Sequence, residues 1–469
     1  MRWAKRYSLL ILALGVLALV LAACEADDAA DDPVDADEDT AADDEPDEDV
    51  DDDEVDDDVD PDDQVRIGAM FPQSGDLAFE ATEALQGVEV AVELFNEDGG
   101  LDGTPVDLVD ADAPDPEAGT SAVRQLVEED DVDVIVGTYA SAIASAAVPA
   151  AQRLDTLYLE TTAFAASITE GPDNVLRTTI SSRALGAYAV EFIETGLADE
   201  LGISADEMQV ALVYSDDEFG TSIADAALDA LEDSPVELVV DESYDAATVS
   251  DFSSTLLRLD EEGTDAVIHV SQISDGILFW RQAQELDIEL PAAIGAGGGY
   301  GQSDFAEPLG DASDGIFNIV PPTSGSIDTS ALSSDAQDLL QRMQDMLEEK
   351  GYSQGVYTDW GFMGTWVFLN EVLPNAASTS TEDLLDAAQG VDVAPEDSIT
   401  GFGFEFAGPD HETPGQNLRA DPVVQQWQDL DLSVVFPEEL AVADLINVPL
   451  PPWAERDEIE EPDEDEDEG

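Results

Sequence analysis

Positive charge is almost missing from this chain: 14 arginines and lysines stand against 111 aspartates and glutamates, for a formal net charge of −97 at pH 7. Nothing on such a surface could neutralise phosphates, which excludes nucleic-acid binding. Lysine occurs only at Lys5 and Lys350, and histidine only at His269 and His411. Two histidines are too few for a histidine-rich metal site, and no Ser-His-Asp set is legible around them. Cys24 is the one cysteine, so an intrachain disulfide and a thiolate metal cluster are both excluded. Carboxylates are so abundant that an Asp-Glu pair says almost nothing about acid–base catalysis. No cofactor is expected from these residues.

Long apolar runs are also few, and the clearest one is N-terminal. Arg2, Lys5 and Arg6 precede an apolar stretch from Leu9 to Val20 that closes in Leu21-Ala22-Ala23-Cys24. A basic start followed by a short apolar centre describes a signal peptide over residues 1–23. At roughly 16 residues the run is shorter than the ~20 that a spanning helix needs; an uncleaved membrane anchor is the alternative reading. The small residues before Cys24 resemble a bacterial lipobox, which implies removal of the leader and diacylation of the cysteine. From residue 25 to 63 about 25 of 39 residues are acidic, too little apolar material to offset ordering entropy. Residues 24–63 are therefore expected to form a disordered acidic tether extended by its own repulsion, and residues 454–469 a tail of the same kind.

Between these ends about 75 carboxylates face 10 basic residues, so the acidity belongs to the folded part as well. That pattern resembles proteins that work in concentrated salt, where a Debye length of ~3 Å screens self-repulsion. With 43% apolar residues the chain still has material for a core.

The central region alternates short apolar strands with amphipathic helical stretches. Strands are expected at 65–71, 106–109, 132–136, 157–159, 210–214 and 236–240. Helices are expected at 83–97, 116–129, 141–153, 184–197 and 222–231. Alternation of this kind implies an α/β fold with parallel sheets covered on both faces. Such sheets bind ligands at the carboxyl ends of their strands.

Several segments carry a resemblance. Arg66-Ile-Gly-Ala-Met-Phe-Pro-Gln-Ser-Gly75, Asp131-Val-Asp-Val-Ile-Val-Gly137, Tyr214-Ser-Asp-Asp-Glu-Phe-Gly220, Asp251-Phe-Ser-Ser-Thr-Leu-Leu-Arg-Leu259 with Asp265-Ala-Val-Ile268, and Gln425-Gln-Trp-Gln428 occur in one order. Together they resemble the leucine/isoleucine/valine-binding family of ABC-importer receptors over about residues 64–453. The resemblance implies two doubly wound parallel-sheet lobes joined by a three-crossover hinge, the type I periplasmic-binding-protein fold. Lobe one is placed at about 64–183 and 322–400, lobe two at about 184–321 and 401–453.

The same resemblance implies a ligand between the lobes, touched by Phe79, Ala140, Ser141, Thr161, Thr162, Ala163, Phe219, Gln272 and Gly297. Ser141 falls where the family's ligand-carboxylate serine lies, and the loop 160–164 where further donors complete that anchor. From the residues alone, Ser141 also reads as a helix N-cap at a helix start that offers free N–H groups to an anion. Gly297, in Ala293-Ile-Gly-Ala-Gly-Gly-Gly-Tyr-Gly301, stands where the family's amino-acid binders carry a carboxylate for the ligand's ammonium group. Either the ligand lacks an ammonium group there, or Glu160 or Asp217 replaces the missing carboxylate. The glycine run lacks the Lys-Ser/Thr of a phosphate loop and reads as a turn that lets backbone approach a ligand. His269 ends an expected strand and could face the cleft; Trp280, Trp360, Trp366 and Phe368 read as core.

The function expected from this resemblance is that of an extracytoplasmic, lipid-anchored receptor, not an enzyme, that delivers a small amino-acid-like, amide or carboxylate solute to ABC permease and ATPase subunits. It is expected to be a monomer that meets the membrane only through lipid. A ligand-sensing regulatory protein on the same fold is the alternative.

Overall fold

The computed structural model describes residues 64–438 and 440–456. The expected leader, Cys24, the acidic tether and most of the acidic tail lie outside the described residues. Twelve strands form two sheets. The first is wholly parallel, in the order β2-β1-β3-β4-β5, from β1 (Arg66–Phe71), β2 (Asp107–Asp112), β3 (Val134–Gly137), β4 (Leu157–Glu160) and β5 (Val175–Arg177). The second has the order β12-β11-β10-β9-β8-β6-β7. Its members are β6 (Gln209–Ser215), β7 (Glu237–Tyr244), β8 (Ala266–Val270), β9 (Ala292–Ala296), β10 (Phe317–Val320), β11 (Val423–Gln428) and β12 (Asp431–Phe436). The last two strands pair antiparallel and extend a sheet that is otherwise parallel.

The central strands are nearly continuous apolar runs because helices cover both faces. Every residue of β3, Val-Ile-Val-Gly, is buried. Each such Val or Ile contributes about 1.5–3 kcal/mol by leaving water. Helices pack on these sheets at close range where small residues allow it. Gly87 in the helix Ala78–Glu97 lies against the helix Val356–Val367, where an added Cβ would sit 2.2 Å from the Thr358 carbonyl; Gly361 returns the contact, 2.3 Å from the Ala84 carbonyl. Aspartates cap two helices: Asp115 accepts from the Ala118 N–H at 2.8 Å and Asp217 from the Gly220 N–H at 2.8 Å.

The chain crosses between the lobes three times. The first crossing follows β5, after which the helix Ser182–Phe192 packs on the helix Glu218–Asp233 of the second lobe. The second follows β10 at Pro321 and Pro322. The third comes later than the sequence placed it. Gln416 bridges to Arg177 at the edge of the first sheet, and Phe404 and Phe406 pair with Val393 and Asn417. Residues 402–417 thus belong with lobe one, and the chain returns to lobe two with β11, β12 and the segment after them, where the Leu450 N–H donates to the Pro291 carbonyl at 2.8 Å and Trp453 Nε1 to the Ile288 carbonyl at 2.7 Å. Phe402, Phe404 and Phe406 alternate as in a strand and are buried, but periodicity does not say which lobe a strand packs against. Among the described residues no helix is long and apolar enough to cross a membrane.

Candidate functional site

The loops that follow β1, β3 and β4 in lobe one face those after β6, β8 and β9 in lobe two. Between them lies a cavity of about 720 Å³ lined from lobe one by Tyr139, Ala140, Ser141, Thr162, Phe164 and Glu80, and from lobe two by Asp217, Phe219, Gln272, Asp275, Gly298 and Asp304. Five residues expected at the site, Ala140, Ser141, Thr162, Phe219 and Gln272, are brought together here. Tyr139 Oη donates across the gap to Gln272 Oε1 at 3.4 Å, so the two lobes touch through residues that flank the cavity.

The remaining expected residues lie elsewhere. Phe79 is 57% exposed and points away from the cavity; its neighbour Glu80, one step around the same helix, lines it. Thr161 is buried against Gly364 of the helix Val356–Val367, with the glycine's absent Cβ only 3.0 Å from its methyl group. Ala163 is buried in the lobe-one core, and Gly297 is replaced at the cavity wall by Gly298.

Gly297 has φ +73°, and an added Cβ would lie 3.1 Å from the Phe164 ring and 3.5 Å from Leu185. The aromatic ring of lobe one thus fills the space that a side chain at 297 would need. Phe164 also meets Phe219 of the other lobe at 6.4 Å between ring centroids and Trp360 edge-on at 5.7 Å. Tyr139 and Tyr357 pack edge to face at 4.8 Å, completing an aromatic wall. Trp360 and Phe368 are core residues, as is Trp280, whereas Trp366 is half-buried and stacks on Phe362.

Ser141 is not the helix cap. Ala140 occupies that position, and the Ser141 hydroxyl instead accepts from the Ala165 N–H at 3.2 Å, tying the helix start to the neighbouring loop. Ser141 and Ala142 line the cavity at the start of this helix, where the first N–H groups have no acceptor within the helix.

Loop 161–169 is gripped at both ends. The Glu160 carboxylate, fully buried, accepts from the N–H groups of Thr138 (2.8 Å), Thr162 (3.0 Å) and Ala163 (2.8 Å). The Thr162 hydroxyl donates to the Thr138 carbonyl. Arg177, also fully buried, donates to the carbonyls of Phe164 (3.0 Å) and Ala165 (2.6 Å), to Thr169 Oγ1 (3.0 Å) and to Gln416 Oε1 (2.6 Å). Burial pushes the Glu160 carboxyl up to about 8, against the opposing pull of those N–H donors and of Arg177. Burial likewise lowers Arg177 to about 9. The Thr162 and Ala163 donors expected to anchor a ligand are therefore already spent on Glu160. Glu160 itself lies behind the cavity wall and offers it no carboxylate. Asp217 does line the cavity, with one oxygen engaged in capping.

His269 does not reach the cleft. It is buried in an aromatic cluster, 4.4 Å from Phe279 between centroids, with Nδ1 2.8 Å from Tyr300 Oη, and desolvation lowers it to about 3, so the ring is neutral. His411 is exposed beside Thr413. Glu80 and Tyr139 are cavity residues that the sequence reasoning missed. Tyr139 could have been found from its place beside Ala140 in the loop after β3; Glu80 depends on the rotation of one helix, which no local motif records.

A family model described as periplasmic binding protein matches residues 64–421. The Leu/Ile/Val-binding protein homolog 7 of Brucella suis biovar 1 (strain 1330) is 30% identical over 383 residues, covering 81% of this chain and 93% of that protein. Homolog 8 of Brucella abortus (strain 2308) matches to the same extent, with 92% of its length covered. Among solved structures, the branched-chain amino acid transporter substrate binding protein LivJ of Streptococcus pneumoniae in complex with isoleucine superimposes with a TM-score of 0.65 at 21% identity, covering 80% of this chain and all of that one. A solute binding protein of an ABC transporter from R. palustris in complex with 4-hydroxybenzoate gives 0.64 at 17% identity, covering 83% and 99%. With two lobes, a cavity between them and matches along four-fifths of its length, this chain belongs to the periplasmic binding proteins, the solute-binding receptors of ABC transporters.

Proposed function

We propose that this chain is the extracytoplasmic, lipid-anchored receptor of an ABC importer and takes an amino-acid-like or amide solute between its lobes. The observation that carries the reading is the interlobe cavity, whose walls come from both lobes and meet through Tyr139 and Gln272. A solute there touches both halves, so its binding favours the closed arrangement that a permease recognises. The named binding of isoleucine and of 4-hydroxybenzoate by structural neighbours supports a small solute with an apolar body and an oxygen-bearing end. Ser141 and the first N–H groups of its helix are suited to such an end without any positive side chain. Cys24 as the lipidated first residue and adaptation to concentrated salt complete the reading, on the sequence grounds given above.

The test is a melting-shift screen of amino acids, amides and short or aromatic acids against the purified protein, with closure followed by small-angle scattering. A solute that raises the melting point and shrinks the radius of gyration supports the reading. If no solute does either, the receptor assignment fails. In cells, Cys24→Ser should release the protein from membranes or leave the precursor unprocessed; unchanged retention at unchanged mass would instead mark residues 8–23 as an ordinary anchor.

A further inference from the structure

The walls of the interlobe cavity carry five carboxylates, from Asp76, Glu80, Asp217, Asp275 and Asp304, and no arginine, lysine or histidine. Their situations differ. Asp76 and Asp304 are exposed, Asp217 caps a helix, and the buried Asp275 is bonded to the Tyr244 hydroxyl. Glu80 is held only by its own backbone N–H, which leaves one carboxyl oxygen unused. It is 8% exposed, and its Oε2 has no hydrogen-bond partner although it is cut off from solvent. A buried carboxyl oxygen without a partner costs free energy that folding must offset elsewhere.

Glu80 and Asp304 come from opposite lobes. Asp304 lies near enough to disfavour the charged form of both Glu80 and Glu83. Bringing the lobes together without a counter-charge therefore forces like charges toward each other. Beside Glu80 lie the rings of Tyr139 and Tyr357, whose faces attract a cation.

Resting on the reading of this cavity as the solute site, we infer that the solute carries net positive charge, and that its ammonium or guanidinium group seats on Glu80 of lobe one and offsets Asp304 of lobe two, so that the cation itself licenses closure. Recognition then comes from the first lobe, through a residue next to the aromatic wall, and not from position 297, where Phe164 leaves no room. An amino acid or amide with an ammonium or guanidinium side chain, which keeps an oxygen-bearing end for Ser141, fits this chemistry better than a zwitterionic branched-chain amino acid.

The experiment compares solutes of similar carbon frame and different charge by titration calorimetry: isopentylamine, leucine and 4-methylpentanoate, with agmatine and arginine as larger cations. Cations are expected to bind at least about tenfold more tightly than the anion, and Glu80→Gln to cost the tightest cation about ten- to a hundredfold, as for a lost charged hydrogen bond. Asp304→Asn, at an exposed position, is expected to cost less. A second measurement needs no ligand: Glu80→Gln removes the repulsion, so its ligand-free radius of gyration in low salt should fall toward that of the closed form. If leucine or the acid binds as tightly as the cations and Glu80→Gln leaves affinity and ligand-free shape unchanged, the cation proposal is overturned while the receptor reading stands. If no solute of any charge closes the wild-type protein, both are overturned.

Discussion

Glu160 and Glu80 are two buried carboxylates of the same lobe, and they are buried to different ends. Glu160 closes β4 and receives three backbone N–H groups, with Arg177 acting from beyond the loop they share. Glu80 sits in the first turn of the helix Ala78–Glu97 with an oxygen that nothing in the protein satisfies. The first is an internal brace that shapes the ligand loop; the second is an acceptor held open. Burial alone does not mark a functional acid. What separates the two is how much of the acceptor capacity the protein has already used.

The sharpest way to break this comparison is to remove the brace. Glu160→Ala leaves the N–H groups of Thr138, Thr162 and Ala163 buried and unpaired. A loss of about 3–5 kcal/mol is expected, from about 1–3 kcal/mol for each buried donor left unsatisfied. Thermal or urea unfolding followed by circular dichroism measures it. A loss under about 1 kcal/mol would mean that the loop does not depend on Glu160.

Next in size is the substitution that restores the family's carboxylate. Gly297→Glu puts a side chain on a backbone with φ +73° and drives its Cβ toward the Phe164 ring. Strain of about 1–3 kcal/mol is expected, together with weaker solute binding as the ring is displaced. The double variant with Phe164→Ala should destabilise by less than the sum of the two single changes, because the ring that clashes is gone. Strict additivity would show that Phe164 is not what excludes a side chain there.

Ser141→Ala is expected to cost the solute about 1.5–3 kcal/mol if the solute's end is charged, from the loss of one donor. Stability should fall by about 1 kcal/mol through the lost bond to Ala165. The two are read separately, from calorimetric dissociation constants and from unfolding of the ligand-free protein. A dissociation constant within twofold of wild type, with the stability loss present, would leave Ser141 as a tie between helix and loop only.

The last effect is one of pH. Burial is the main cause that raises Glu83 to about 7, with Glu80, Asp304 and Asp359 adding repulsion, and burial raises Asp275 to about 6 and Glu160 to about 8. Between the ordinary carboxylate range and these values the folded chain holds more protons than the unfolded one, so the stability these groups supply is present in acid and lost as pH rises. Unfolding free energy should fall from about pH 5 to pH 8, and Glu83→Gln should flatten the part between about pH 5 and 7. A steeper slope in that variant would contradict the assignment.

Much of the fold was legible because it rests on local periodicity. The strands at β1, β3, β4 and β6 and the helices Pro116–Glu128 and Ser141–Arg153 fall within a residue or two of expectation. Residues lining the interlobe cavity were legible where a loop directly follows a strand, as at Ala140, Ser141 and Phe219. It was misread by one residue at Phe79 and at Gly297, since on a helix or tight turn one position rotates a side chain from solvent into the cavity. The donors of Thr162 and Ala163 were misassigned because the residue that takes them, Glu160, looked from sequence like a candidate ligand contact.

Alternation of apolar strands and amphipathic helices, the shortage of basic residues and the order of the family segments were enough to determine an α/β receptor of two lobes. These are properties of neighbours along the chain, and period and composition record them directly. Only the tertiary structure decided that residues 402–417 return to lobe one, that Phe164 occupies the space over Gly297, and that Glu80 and Asp304 face each other from separate lobes. Each of those depends on which groups from distant segments compete for one volume or one hydrogen bond. That competition is settled by packing and desolvation after the chain has folded, and no stretch of sequence carries it alone.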